Sequence, residues 1–195
     1  SNINLRKALA YSISAQELLD VIYDGDGYVL HAFAMDYQMG YVKAWDNEDY
    51  FSQDAAKAKD YFDKYLSESG KTAADLHFSL IHMSTDPMTK YAQVVQSVLI
   101  DLTGNPNVCE LTSYDSATYA SMRGDAGNFD LAILNSLSNK TYVLYNWQVN
   151  FNGFQRSSGD DMCFTGDEEL WKLQEAAQQT LSESDCDAFQ QRLNE

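Results

Sequence analysis

Basic residues are scarce in this chain. Thirteen lysines and arginines stand against 29 aspartates and glutamates, a formal charge of −16 at neutral pH. A field of that sign repels phosphate backbones and anionic lipid headgroups, so the charge argues against nucleic-acid partners. The plain reading of the acidity is that it keeps a secreted protein soluble. Long apolar runs are missing too: none approaches the roughly 18 residues needed to span a bilayer, and no basic-then-apolar leader opens the chain. Three cysteines, Cys109, Cys163 and Cys186, lie 54 and 23 residues apart and include no CxxC pair. They form neither a disulfide framework nor a metal pattern. One bridge plus a free thiol stays open, although Cys109 alternates inward on its strand and reads as simply buried.

Catalytic signatures are absent as well. No GxGxxG, P-loop, GxSxG or HExxH motif occurs. His31, His77 and His82 are too few and too spread for a triad or a zinc site, and His77 and His82, five apart on one strand, point to opposite faces. Asp24-Gly25-Asp26-Gly27 offers alternating hard oxygens but lacks the third ligand and distal Glu of a calcium loop, so it reads as a solvated turn. Asp167-Glu168-Glu169 places carboxylates where a helix N-terminus favours them, without catalysis. Asn139-Lys140-Thr141 fits a glycosylation acceptor, a triplet common by chance. The chain does not look like an enzyme, and nothing in it calls for a cofactor or a metal.

What is present is alternation. From Ser52 to Leu134 the sequence reads helix, strand, helix, strand, helix, strand, with a turn signal at nearly every joint. The strands are Leu76–His82, Val108–Tyr114 and Phe129–Leu134. That order predicts an α/β fold, a sheet of parallel β-α-β units flanked by helices. In such sheets ligands bind beyond the carboxyl ends of the strands.

The joints carry their own chemistry. Ser14 and Glu17 make a capping box for a helix over Ala15–Tyr23, with Ile13 and Leu18 placed as a hydrophobic staple. Ser52 caps a helix with the face Ala55, Ala58, Phe62 and Tyr65, ending at Gly70. Asp86-Pro87 opens another, with Asp as N-cap and Pro at the first helical position. Its stripe is Met88, Tyr91, Val95, Val98 and Leu102. A short helix over Ser116–Arg123 follows the second strand. After Asn135 the regularity stops until Thr165–Glu168, a second capping box, starts a helix with face Leu170, Leu173 and Ala177. A last helix begins near Ser184. There is no repeat, low-complexity tract or linker, so residues 1–195 read as one domain.

Aromatics are plentiful, 25 residues of which 13 are tyrosine. Many belong to the core. Those in Tyr28–Tyr50 and Tyr142–Phe154 lie in segments without helical or strand period, the first reading as a long surface loop. Such side chains present rigid amphipathic surface to a ligand or to a neighbouring domain. The ends point to a fragment excised from a longer protein. Ser1-Asn2 reads as a protease scar, and Asp185–Glu195 stops in mid-helix.

Asn4-Leu5-Arg6-Lys7-Ala8-Leu9-Ala10-Tyr11-Ser12-Ile13, followed by Ala15-Gln16-Glu17-Leu18-Leu19, resembles a segment of the bacterial extracellular solute-binding proteins, family 5. These are the oligopeptide and dipeptide receptors of ABC importers. The likeness continues through Asp54–Lys59, Gln93–Leu102, Tyr114–Tyr119 and Gly127–Ala132, in the right order across nearly the whole chain. It implies one lobe of a periplasmic-binding-protein type II-like receptor, the C-terminal lobe of a parent two to three times longer. Such receptors close like a trap, because bound ligand contacts both lobes and adds free energy only to the closed state.

The resemblance also marks a departure. In peptide-binding members an aspartate after the third strand pairs with the ligand's amino terminus, and counting from Asp130-Leu131-Ala132 that position falls on Asn139. An amide accepts a hydrogen bond but supplies no charge. The proline-containing stretch that normally follows is replaced by Lys140–Asn146. The alternative is a shifted local alignment.

The reading is therefore a substrate-capture lobe that delivers peptides or another small solute to an ABC transporter permease. It works with the missing N-terminal lobe, outside the cytoplasm, in a parent anchored as a lipoprotein. The expected ligand contacts are Asn135, Ser136 and Asn139, just past the third strand, with Trp147 as a stacking platform. The alternative is a protein-interaction or sensor lobe on the same fold, not coupled to import.

Overall fold

A computed structural model describes residues 2–30, 32, 34–47, 52–123, 129–134 and 167–194. The chain divides into two compact units, Ser1–Val29 with Phe51–Asn135, and Leu30–Tyr50 with Ser136–Glu195.

The first unit is built on a parallel sheet. Strands β1 (Phe78–Met83), β2 (Cys109–Tyr114) and β3 (Leu131–Ala132) stand in the order β2-β1-β3. Leu80 pairs with Leu111 on one side and Leu131 on the other. Leu80, Ile81 and His82 are all buried, so the central strand is covered on both faces, as parallel sheets require. The third strand is shorter than the alternation predicts, yet its pairing runs on: Asp130 N–H donates to Ser79 O at 3.0 Å and Ile133 N–H to Ile81 O at 3.0 Å. Asp130 is also clamped by its side chain, which accepts from the Ser79 amide and hydroxyl at 2.9 and 3.2 Å.

Helices α1 (Ile3–Ser12), α2 (Ala15–Tyr23), α3 (Ala55–Ser69), α4 (Asp86–Thr103) and α5 (Ser116–Arg123) belong to the same unit. Their ends follow local rules. Asn2 Oδ1 accepts from the Asn4 and Leu5 amides at 2.8 and 3.3 Å, capping α1. Ser14 Oγ accepts the Glu17 amide at 3.1 Å, the first half of the expected box. Asp54, rather than Ser52, caps α3 through the Lys57 amide at 2.9 Å. Gly70 and Gly104 end α3 and α4 with φ of 67° and 68°, a left-handed stop that costs glycine nothing. The α4 N-cap is Thr85, which places Asp86 inside the helix.

The unit's core joins Ala8, Phe62, Tyr65, Leu80, Ala92, Leu99 and Val108, with Leu5 and Leu9 packed against it. On α4 the buried positions are Met88, Ala92 and Leu99. Val95 and Leu102 of the expected stripe pack against this core, while Tyr91 and Val98 are half-buried.

The second unit contains α6 (Glu168–Thr180) and α7 (Glu183–Asn194) with a 3-10 turn at Lys43–Asn47. Asp167 caps α6 by accepting from the Glu169 and Leu170 amides at 3.0 and 2.9 Å. Its core holds Ala32, Ala34, Val42, Trp45, Leu170, Ala177, Cys186 and Phe189. The segment Tyr28–Tyr50 is therefore not a surface loop throughout. Trp45 is fully buried and donates its Nε1–H to Asp187 at 2.8 Å. Cys109 and Cys186 are free thiols, and burial pushes both up to about 11, leaving them protonated and unreactive at neutral pH. Cys163 lies outside the described residues.

Candidate functional site

Beyond the carboxyl ends of the strands three exits converge. β1 runs into Ser84 and Thr85 and then the first turn of α4. β2 runs into Asp115 and α5, and β3 into Ile133 and Leu134. Pairing holds the first two exits together, since Ser84 N–H donates to Tyr114 O at 2.8 Å. The third is tied in by Tyr119, buried on α5, whose hydroxyl donates to Ile133 O at 2.7 Å. The exits of all three strands are thus fixed by short hydrogen bonds, a rigid base of the kind that positions binding loops.

The polar groups at this edge are mostly engaged. Asp115 Oδ1 accepts the Ala117 and Thr118 amides at 3.0 Å each, while Oδ2 accepts the Thr118 hydroxyl at 2.7 Å. Those bonds, the Thr118 hydroxyl first, hold its carboxyl below the usual carboxylate range. It is a cap with no proton to trade at neutral pH. His82, 3% exposed near the end of β1, has Nδ1 at 2.9 Å from Met83 O. A carbonyl only accepts, so Nδ1 carries the hydrogen. His77 is exposed, 4.0 Å from Glu110. Ser84 and Thr85 remain exposed, their hydroxyls beside an α4 N-terminus that has no side-chain cap.

Such an edge offers hydrogen bonds and partial positive charge to a ligand. Among the described residues no group of three His, Cys, Asp or Glu is placed to hold a metal. No described helix is long and apolar enough to cross a membrane. The expected contacts Asn135, Ser136, Asn139 and Trp147 lie outside the described residues, the first two directly after the β3 exit in sequence. A groove of about 780 Å³ lies elsewhere in the first unit, along α3 and α4 and away from the strand ends.

The family model for bacterial extracellular solute-binding proteins, family 5 Middle, matches residues 1–158. The chain belongs to this family. Its members are binding proteins, and the chain carries their substrate-binding fold. Solved structures agree on the fold. A putative peptide binding protein, AppA, from Clostridium difficile matches with a TM-score of 0.77 at 18% identity, over 99% of this chain and 38% of its own. AgaA from A. tumefaciens, in complex with agropinic acid, matches at 0.74 and 22% identity, over 97% and 38%. OppA of Haemophilus influenzae, in complex with RPPGFSPFR, matches at 0.74 and 19%, over 99% and 37%. At these identities the likeness speaks for the fold alone. No curated protein matches significantly. The chain spans about 38% of the length of the first of these solved proteins.

The family match bears out the resemblance read from Asn4–Leu19 and the later segments, and the parallel sheet bears out the α/β expectation. What sequence reasoning missed is the uncapped start of α4. The signal was available in Ser84-Thr85-Asp86-Pro87, where a proline at the second helical position moves the cap one residue earlier.

Proposed function

We propose that this chain is the C-terminal substrate-capture lobe of a longer extracellular receptor that hands peptides or another small solute to an ABC transporter. The observation that carries the reading is the family match over residues 1–158, on a chain whose parallel strands end in one hydrogen-bonded edge. The solved structures described as binding a peptide or agropinic acid support a small polar solute as ligand. Ligand is held by Asn135, Ser136 and Asn139 after the third strand, with Trp147 stacking on it. A second lobe from the rest of the parent covers it and closes the trap. A lipid anchor on the parent holds the receptor near the permease. The work is capture and release, with no bond made or broken.

The test is mass spectrometry of small molecules that co-purify with the full-length parent, followed by thermal shift with the compounds found and with peptide panels. A true ligand at about 100 times its Kd adds about 2.7 kcal/mol of stability, a shift easily seen. Finding no small molecule, together with no shift on any panel, overturns the reading. Asn139→Asp restores the missing charge and is expected to strengthen peptide binding if the ligand's amine sits there.

A further inference from the structure

Along the central strand β1, backbone N–H groups point alternately to its two neighbours. Phe78 and Ser84 donate toward β2, to Val108 O at 2.7 Å and Tyr114 O at 2.8 Å. Ser79, Ile81 and Met83 therefore face β3, and they meet different acceptors. β3 starts only at Leu131, too late to offer Ser79 a carbonyl, and the Asp130 carboxylate takes that place at 2.9 Å. Ile81 lies in the ladder opposite Ala132, where the pairing ends. The next bond of a parallel ladder would run from Met83 N–H to Ile133 O. It is not made, and Met83 N–H has no acceptor among the described residues.

The missing acceptor has been taken elsewhere. The Ile133 carbonyl accepts the hydroxyl of Tyr119, a buried residue of α5, at 2.7 Å. Ile133 N–H still reaches Ile81 O at 3.0 Å, so the two strands part only at this carbonyl. The carbonyl of Met83 itself is satisfied, because it accepts the His82 Nδ1–H at 2.9 Å. One backbone donor of a half-buried residue thus stays open where the strand ends converge. Such a donor costs free energy unless water or a ligand oxygen meets it, and a ligand oxygen can replace the water.

The surroundings select the ligand group. The exposed hydroxyls of Ser84 and Thr85 follow Met83, beside the α4 N-terminus that has no side-chain cap. The carboxylates at this end are engaged, Asp86 with Lys90 at 2.9 Å and Asp115 with the Ala117 and Thr118 amides. The groups left over can all donate, and the helix end adds partial positive charge. That combination suits an oxygen acceptor and disfavours an ammonium.

We propose that Met83 N–H is a ligand-binding donor for a carbonyl or carboxylate oxygen of the solute, and that Tyr119 keeps it open by holding the Ile133 carbonyl out of the ladder. The assignment rests on the capture function proposed for this edge, although the open donor can be tested without the parent's solute.

The experiment is amide NMR of the 195-residue chain. Hydrogen exchange should be fast at Met83 and slow at Ile81. Tyr119→Phe keeps the buried ring and removes only the hydroxyl. It should let the ladder run one bond further and slow Met83 exchange about tenfold, against the usual direction for a lost hydrogen bond. Acetate then stands in for a carboxylate, N-methylacetamide for a carbonyl, and methylammonium is the control, with ionic strength matched by sodium chloride. One or both of the first two should move the Met83 amide proton downfield with a Kd on the order of 10 mM, and should bind Tyr119→Phe more weakly. Which of them binds tells a carboxylate ligand from a carbonyl one. Slow Met83 exchange in the unaltered chain, unchanged or faster exchange in Tyr119→Phe, or a Met83 shift with methylammonium alone or with none of the three overturns the proposal. A parent that carries no solute would instead sink the capture reading, while the open donor stood.

Discussion

The two compact units bury their interiors in different ways. In the first the largest fully buried side chains are aliphatic, Leu80, Leu99 and Val108, set on strands and helices that repeat. In the second they are Trp45, Phe189, Gln174 and Gln190, and Gln38 is buried besides. Apolar packing is forgiving, because any side chain of about the right volume fills the space. Buried amides are not, because each donor and acceptor left unmade costs free energy. The first core therefore tolerates substitution and the second specifies itself through particular partners, such as Trp45 Nε1–H to Asp187 and the Met35 amide to Gln38 Oε1 at 2.8 Å.

The strongest way to sharpen that contrast is to truncate one of the largest fully buried side chains of each core. Trp45→Ala removes both a fully buried ring and the donor of its bond to Asp187, and should cost about 3–5 kcal/mol. Leu80→Ala, at the centre of the sheet, should cost about 2–5 kcal/mol. Native-state hydrogen exchange gives the readout. Trp45→Ala is expected to release the α6 and α7 amides first, and Leu80→Ala those of β1 and β2. Equal loss of protection everywhere in both variants would break the comparison, by making the two units one cooperative core.

The same contrast explains what could be read beforehand. α2 falls on Ala15–Tyr23 and α5 on Ser116–Arg123, as their caps and periodicity predict, because those signals are local. Strand β1 starts at Phe78 rather than Leu76, since the Thr72–Asp75 capping box winds the preceding residues into a 3-10 turn that Leu76 closes. Trp45 was illegible because one aromatic on a single 3-10 turn has no period to betray it, and its partner is 142 residues away. The ligand edge was legible as a place, the ends of parallel strands, but its side chains were not. Asn135, Ser136, Asn139 and Trp147 rest on a resemblance, and no spacing rule tells a binding asparagine from a turn asparagine.

A smaller effect of opposite sign probes the amides of the second unit. Gln174, 1% exposed, has its Nε2 buried without a hydrogen-bond partner among the described residues. Leucine is similar in volume and leaves no donor unpaired, so Gln174→Leu should stabilise by about 1–3 kcal/mol, read as a higher denaturant midpoint at unchanged m-value. A lower midpoint would mean that the carboxamide holds an acceptor, such as a trapped water, and that the second core is more completely satisfied than its protein contacts show.

The smallest effect is acid sensitivity of the helix caps. Asp54 on α3 is held below the usual carboxylate range first by the Lys57 amide, and Asp167 on α6 first by the Leu170 amide, then with help from Arg192. A depressed folded-state pKa means stability that is present above the unfolded value, about 3.9, and is lost as pH falls through the folded one. Both caps should therefore hold at neutral pH and weaken below about pH 4. Asparagine caps about as well as aspartate but does not titrate. Asp54→Asn should leave neutral stability nearly unchanged while flattening its fall in acid. Asp167→Asn should lower neutral stability slightly, through loss of the Arg192 ion pair, while flattening the fall as well. Each carboxylate also faces a cation, Asp54 the Lys57 ammonium at 3.5 Å and Asp167 the Arg192 guanidinium at 2.8 Å across 25 residues of chain. The second variant should flatten the fall more, because its pair is shorter and less exposed. Thermal unfolding of the two variants from pH 7 down to about pH 3 decides the matter. An equal slope for both would show that the Arg192 pair adds no more to its cap than Lys57 adds to Asp54. In that case the second unit's reliance on particular partners would stop at its buried groups.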